Sequence, residues 1–212
     1  MGKPTLYGPT FSTYTRSMRM VLAEKGVEYD LVEIDMLGGA HHQPEWKKRH
    51  PFERVPAFEH NGLSIYESNA IAHYIDDAFP GRRLAHPNIS RRTRDQQIVE
   101  VINAYGYKRI VTDIVLRYFF AEETKGPNLD AIAAAAPEAE YVLAVIQELM
   151  LGSDPYLVGR DVSFSDLMLA PIIAYFVQFQ EGTRAMAKLP KLSHWWLAMQ
   201  QRPSFTATAP KM

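Results

Sequence analysis

Arg54-Val55-Pro56-Ala57-Phe58, followed after a short hairpin by Tyr66-Glu67-Ser68-Asn69-Ala70-Ile71, sets the frame for the rest of the chain. Val55 is β-branched and precedes a proline, and Ala57 and Phe58 begin a strand, so Pro56 stands at a strand entrance where a missing N–H is tolerated. An X-Pro bond there can be cis, which would turn the N–H and C=O of Val55 outward as a free peptide edge able to dock another peptide. Asn61-Gly62 is a hairpin signal, and Leu63 and Ile65 continue as the second strand. A helix then opens at Glu67-Ser68, with the Ser68 hydroxyl expected as its cap and its first amides as an anion site. One peptide edge, one anion-binding helix start and one carboxylate converge.

Upstream of this stretch, residues 4–8 form a short strand closed by Gly8-Pro9, and Met18, Val21 and Leu22 recur at helical spacing until Gly26. Tyr29, Leu31, Val32 and Ile34 make a second strand, which a right-handed crossover lays parallel to the first. The Gly-, His- and Lys-rich segment from Met36 to Pro51 reads as a loop with a turn or two of helix at Pro44-Glu45-Trp46. With a helix from about Ser68 to Ala78 the order is β-α-β-α-β-β-α, which fits a thioredoxin-like domain over residues 1–80.

Pro80-Gly81 breaks the chain, residues 81–89 read as a linker, and over residues 90–212 strand signals vanish. Ile98, Val101, Ile102, Tyr105, Ile110, Ile114 and Tyr118 keep one helical face until Gly126-Pro127. A second long helix is expected from about Pro137 to Met150, with Tyr141, Val142, Val145, Ile146 and Leu149 inward and Ala133 to Ala136 as its loose end. Ser163-Phe164-Ser165-Asp166 is a capping box, with Asp where Glu or Gln is more usual and Val162 and Leu167 as its hydrophobic staple. Further helices carry Met168, Ile172, Tyr175 and Phe176, then Leu192, Trp195, Trp196 and Met199, and Arg202-Pro203 is expected to end them. The fold class is α/β plus all-α.

A net charge of −1 with no basic stripe excludes the electrostatic footprint of a nucleic-acid binder. No apolar run has membrane-spanning length and the N-terminus shows no leader pattern, so a cytoplasmic protein without a membrane partner is expected. There is no cysteine, which removes disulfides, thiolate metal sites and any mixed disulfide made by the protein itself. The 7 histidines come without a His-x-x-x-His pair or clustered carboxylates, so no metal is expected.

The Val55-Pro56 strand entrance, the hairpin, Glu67-Ser68 ahead of a helix and the Ser163–Asp166 box together resemble the cytosolic glutathione S-transferase family over nearly the whole chain. The combination is specific, and each piece alone is weak. The resemblance implies a thioredoxin-like domain followed by a helical bundle, glutathione as co-substrate and a homodimer. Glutathione is a small peptide with two carboxylates, an amine and a thiol, and it needs the groups just named. The missing cysteine argues for classes that activate the thiol with a hydroxyl, of the serine type, theta- or phi-like and bacterial-like.

By that resemblance the thiol-activating donor is Ser12, in Phe11-Ser12-Thr13-Tyr14-Thr15-Arg16, with Arg16 as the arginine four residues on. On spacing alone Ser12 is equally a plain helix cap. Tyr7 is the alternative, where other classes carry a catalytic tyrosine, although a tyrosine after a strand leucine is an ordinary core side chain; Thr10 and Thr13 are weaker substitutes.

The glutathione site is expected to comprise Phe11, Ser12, His41, His42, Arg54, Val55, Pro56, Glu67 and Ser68. In it Val55 offers its main chain, Glu67 pairs with the γ-glutamyl amine, and Ser68 with the helix amides holds the γ-glutamyl carboxylate. His41, His42 and Arg54 fall where the family holds the glycine end. Arg54 stands where many relatives have Gln or Lys, and His42 where phi-like ones often have Lys. Plain helix-start chemistry for Glu67 and Ser68 and a solvated loop for the histidines stay open.

A small hydrophobic electrophile is expected between the domains, against Phe11, Tyr105, Arg109, Tyr118 and Phe119, although an aromatic row at helical spacing is more often core than pocket. The implied reaction is addition or substitution by the bound thiolate, with hydroperoxide reduction as a side activity. Two rivals are kept. One is a specialised dehalogenase, isomerase or lyase, although the serine-cysteine-rich signature of maleylacetoacetate isomerases is missing. The other is a non-catalytic binding or scaffold module of the same fold.

Overall fold

A computed structural model describes residues 2–121, 126–152 and 154–210. The chain divides into two compact units, Met1–Ala85 together with Gln201–Met212, and His86–Gln200.

In the first unit the order is β1 (Thr5–Tyr7), α1 (Thr13–Glu24), β2 (Asp30–Val32), a 3₁₀ turn (Ala40–His42), α2 (Pro44–Lys47), β3 (Ala57–His60), β4 (Leu63–Tyr66) and α3 (Ser68–Ala78). The sheet runs β2-β1-β3-β4; β1 is parallel to β2, as expected, and antiparallel to β3, which places Leu6 between Leu31 and Phe58. Leu6 and Phe58 are fully buried together with Met18 and Leu22 of α1 and Ile71 and Ile75 of α3, an apolar layer between sheet and helices. The second strand is shorter than its apolar pattern, with Tyr29 and Ile34 outside the ladder.

Behind α1 and α3 lies a buried ion pair. Lys25 donates to Asp76 Oδ1 at 3.1 Å and also to the carbonyls of Asp76 and Arg82, while the Asp76 carboxylate accepts the amides of Leu84 (2.9 Å) and Ala85 (3.1 Å). Burial pushes the Asp76 carboxyl up, but those amides and Lys25 overrule it and hold it below the usual carboxylate range. Arg202-Pro203 does not end the helices: Pro203 occupies the first turn of α10 (Pro203–Ala207), where its missing N–H costs no hydrogen bond. This helix packs on α1.

The second unit opens with α4 (Ile89–Val101), capped by the Asn88 side chain. The rod continues as a π-helix over Ile102–Val115, where for example the Leu116 amide bonds the carbonyl of Val111, five residues back, and ends as α5 (Leu116–Phe119). Then follow α6 (Leu129–Leu149), α7 (Phe164–Phe176), α8 (Gln180–Ala187) and α9 (Pro190–Gln200). The second long helix therefore starts well before Pro137. Asn128 caps it, and the alanine run, the strongest of helix formers, carries the helix through the proline. Its inward face is Ile132, Ala139, Val142, Leu143 and Ile146, whereas Tyr141 is 67% exposed.

The capping box is present, and it has a member that spacing does not reveal. Asp166 accepts the Ser163 amide (2.8 Å) and hydroxyl (2.9 Å), the Leu157 amide (2.9 Å) and the Trp195 indole N–H (2.8 Å). Asp95 of α4 also accepts from the Ser163 hydroxyl (2.7 Å) and the Ser165 amide (2.9 Å). Burial, with Asp95 nearby, pushes the Asp166 carboxyl up to about 6 against the pull of these donors.

Candidate functional site

Ser12 is the N-cap of α1. Its Oγ accepts the Thr15 amide at 3.3 Å, and its carbonyl accepts the Arg16 amide at 2.9 Å, which fixes the residue at the helix start. Because Oγ acts as acceptor in the cap, its own hydrogen is left to donate, and accepting a bond makes a hydroxyl a better donor. Thr13 and Thr15 in the same turn are buried, while Phe11 is 45% exposed.

Tyr7 sits differently. Its hydroxyl donates to Glu59 Oε2 at 2.7 Å, its ring lies 4.8 Å under the Arg49 guanidinium, and the Trp46 indole meets it edge-on at 6.4 Å. Burial, then Glu59, push the phenol above its ordinary range.

The Val55-Pro56 peptide is cis, Pro56 is buried and Val55 half-buried. The Trp46 indole N–H donates to the carbonyl of Arg54 at 3.1 Å, so a buried ring on α2 fastens the backbone just before Val55. Glu67, an exposed residue, holds the cap position of α3 at φ 71° and ψ 113°, a region that non-glycine residues rarely occupy. Ser68 is therefore the first helical residue and not the cap, so its amide and hydroxyl both lie in the first turn.

On the 3₁₀ turn the His41 and His42 rings pack with centroids 3.7 Å apart, and His42 Nδ1 bonds Glu53. Burial, then the neighbouring His42, lowers His41 below the usual imidazole range. Lys47 and then His42 hold the Glu53 carboxyl down at about 2. The Arg54 side chain is exposed.

Two further residues of this region carry no mark in the sequence beyond their place in a short helix and loop. One is Trp46. The other is His50, four residues on, which is 2% exposed, with Nδ1 lacking a hydrogen-bond partner and its ring 5.0 Å from that of Tyr66; burial lowers its pKa below the usual imidazole range. The i, i+4 spacing of Trp46 and His50 is the one signal that could have found them.

The remaining expected residues belong to the helical unit. Tyr105 is 61% and Phe119 49% exposed. Arg109 lies 3.8 Å from both Asp113 and Glu138. Tyr118 stacks on Phe179 at 4.1 Å and 7°, its hydroxyl within 3.1 Å of Glu181, and Phe119 meets Tyr175 and Phe179 edge-on at 5.3 and 5.8 Å. Tyr175, expected only as a packing residue, and Phe179, which no pattern singles out, thus join this cluster. No described helix is long and apolar enough to cross a membrane. Among the described residues no group of three or more His, Asp or Glu could hold a metal ion.

Residues 3–77 match the family model of the glutathione S-transferase N-terminal domain and residues 110–203 that of the C-terminal domain. The chain belongs to the glutathione S-transferase family. Within it, the chain is 30% identical over 215 residues to a probable glutathione S-transferase GSTF1 of Oryza sativa subsp. japonica, covering 98% of this chain and 95% of the relative. It is 29% identical over 209 residues to glutathione S-transferase F9 of Arabidopsis thaliana, covering 97% and 96%. Among solved structures, glutathione transferase F7 from Populus trichocarpa superposes with a TM-score of 0.86 at 28% identity, covering 97% of each chain. The glutathione transferase fold, a thioredoxin-like unit and a helical unit, is thus that of the family.

Proposed function

We propose that this glutathione transferase activates the thiol of glutathione with Ser12. The protein transfers glutathione, its co-substrate, to an electrophilic small molecule. The observation that carries the Ser12 assignment is the contrast between two hydroxyls. Ser12 Oγ accepts in the helix cap and keeps its proton to donate, whereas the Tyr7 hydroxyl already donates its hydrogen bond to Glu59. A thiolate needs a donor, and the amides at the start of α1 add their positive dipole end.

The residues proposed for the peptide are Phe11 and Ser12, the main chain at Val55-Pro56, Glu67 for the amine, Ser68 with the first amides of α3 for the γ-glutamyl carboxylate, and His41, His42 and Arg54 for the glycine end. The backbone strain at Glu67 supports this, since such conformations collect at ligand sites. The thiol proton leaves to solvent. The sulfur lone pair then forms the C–S bond, and either a leaving group departs with its electron pair or an activated double bond takes up a proton. In the side activity the thiolate attacks a peroxide oxygen and releases an alcohol, the sulfenate takes up a proton from solvent, and a second glutathione converts the sulfenic acid to disulfide and water.

The second substrate is assigned to Phe11, Tyr105, Arg109, Tyr118 and Phe119. Residues 1–80 are proposed as the glutathione-binding domain, 81–89 as linker and 90–212 as the stretch carrying the second-substrate site, although its last segment, from Gln201 on, belongs to the first compact unit. A cytoplasmic location and a homodimer complete the reading, the dimer supported by the exposure of Phe52 (68%) and Leu63 (48%). The test is the ultraviolet difference spectrum of bound glutathione across pH. Thiolate absorbance at neutral pH that vanishes in Ser12→Ala and survives in Tyr7→Phe is expected. The reverse pattern assigns the chemistry to Tyr7, and binding without thiolate in the native chain makes the protein a ligand-holding module.

A further inference from the structure

Three turns of α1 are each tied to the C-terminal segment. Arg16, one turn beyond Ser12 and 4% exposed, donates to the Phe205 carbonyl at 3.0 Å, with its guanidinium 4.1 Å from the centroid of the Phe205 ring. Arg19 donates to the Thr208 carbonyl at 3.0 Å. Glu24 accepts from Arg202 Nε and Nη2, at 2.8 and 2.6 Å, and from the Ser204 hydroxyl. The two arginines thus satisfy carbonyls at the open end of α10, and Arg202 grips the other end of α1 with a bidentate fork.

We infer that Arg202–Thr208 is a clamp on α1 and that Arg16, seated on Phe205, is a positioning residue for the Ser12 hydroxyl. The inference rests on the reading of Ser12 as thiol activator. The Arg16 amide donates to the Ser12 carbonyl, so a shift of Arg16 moves the cap from which the hydroxyl is aimed. A hydrogen bond to a thiolate weakens steeply with misalignment. The clamp supplies that alignment from residues nearly two hundred positions away in the chain.

The experiment uses the full-length protein and reads the thiol pKa of bound glutathione from thiolate absorbance across pH, with circular dichroism to confirm folding. Phe205→Ala removes the ring and keeps the Arg16 charge, which separates position from electrostatics. It is expected to raise the thiol pKa by about half a unit, about a threefold loss of thiolate below that pKa. Ser12→Ala raises it further, and the double variant matches Ser12→Ala alone, because Phe205 acts through Ser12. Should Phe205→Ala fold poorly, Arg16→Lys repeats the measurement, since an ammonium keeps the charge but has neither the planar fork nor its stacking on the Phe205 ring. If these clamp variants leave the thiol pKa at its native value while Ser12→Ala raises it, the clamp is only structural; the inference falls and the Ser12 reading stands. Additive effects in the double variant also overturn the inference, and no shift in Ser12→Ala overturns both.

Discussion

Replacing Ser12 by alanine removes one hydroxyl whose proton is unspent in the cap. A hydrogen bond to a charged acceptor is worth about 1.5–3 kcal/mol, or about 1–2 pKa units of the bound thiol. Taking the larger value, the native thiol titrates about two units below the free value of about 8.5. At pH 7 the thiolate fraction then falls from about three quarters to about 3% in the variant, about 25-fold. A more basic thiolate is also a better nucleophile, and a Brønsted slope of about 0.4–0.5 returns about eightfold over two units. The net loss in kcat/KM at pH 7 is therefore only about threefold if the hydroxyl acts through the pKa alone, and approaches about 25-fold if it also aligns the sulfur.

A single rate at neutral pH is consequently a poor test, and the pH profile is a good one. With saturating glutathione and a chromogenic aryl halide, the inflection of kcat/KM should move up to about 8.5, and the two curves should converge or cross above it. The substitution also deletes a helix cap, at a cost of about 1 kcal/mol, but the amount of folded protein scales the curve without moving its inflection. An unchanged inflection in Ser12→Ala would refute the reasoning.

Asp76→Ala leaves the Lys25 ammonium buried with two carbonyls and frees the Leu84 and Ala85 amides, so a loss of about 3–5 kcal/mol is expected, read as a fall in the urea midpoint at constant slope. Because the folded Asp76 carboxyl titrates below its unfolded value, its contribution is present above about pH 4 and is lost as pH falls toward the folded value; a midpoint difference between native and variant that failed to shrink on acidification would contradict this. Trp46→Phe keeps the packing but removes the indole bond to the Arg54 carbonyl, and should raise KM for glutathione about threefold to tenfold with kcat nearly constant, so an unaltered KM would detach Trp46 from the peptide site. Phe119→Ala, at the exposed edge of the aromatic cluster, should raise KM for an apolar electrophile and leave KM for glutathione alone; a change confined to glutathione would remove Phe119 from the second-substrate site.

The order of the first unit is readable because strands of period two and helices of period 3.6 alternate between clear breakers, Gly8-Pro9, Gly26, Asn61-Gly62 and Pro80-Gly81. The same local logic misplaces the start of α6, where a proline carries more weight than the alanines before it, and misses α10, where a proline begins a helix. In the candidate site, Ser12, Val55-Pro56 and Glu67-Ser68 stand out as local punctuation. Trp46, His50 and Phe179 do not, since an indole bond to a carbonyl eight residues on, a buried imidazole and a stacked ring pair leave no periodic trace.

By itself the sequence determined the alternation of elements, the cis-competent Val55-Pro56 corner and the capping box, all of which depend on neighbours within a few residues, and its composition removed any cysteine chemistry of the protein's own. Only the tertiary structure decided that the Tyr7 hydroxyl donates its hydrogen bond to Glu59, that Asp95 shares the Ser163 hydroxyl with Asp166, and that the C-terminal segment grips α1 through Arg16 and Glu24. Each of these joins residues dozens to nearly two hundred positions apart. A hydrogen bond of that kind depends on where the folded backbone places two side chains, and no local propensity encodes that placement.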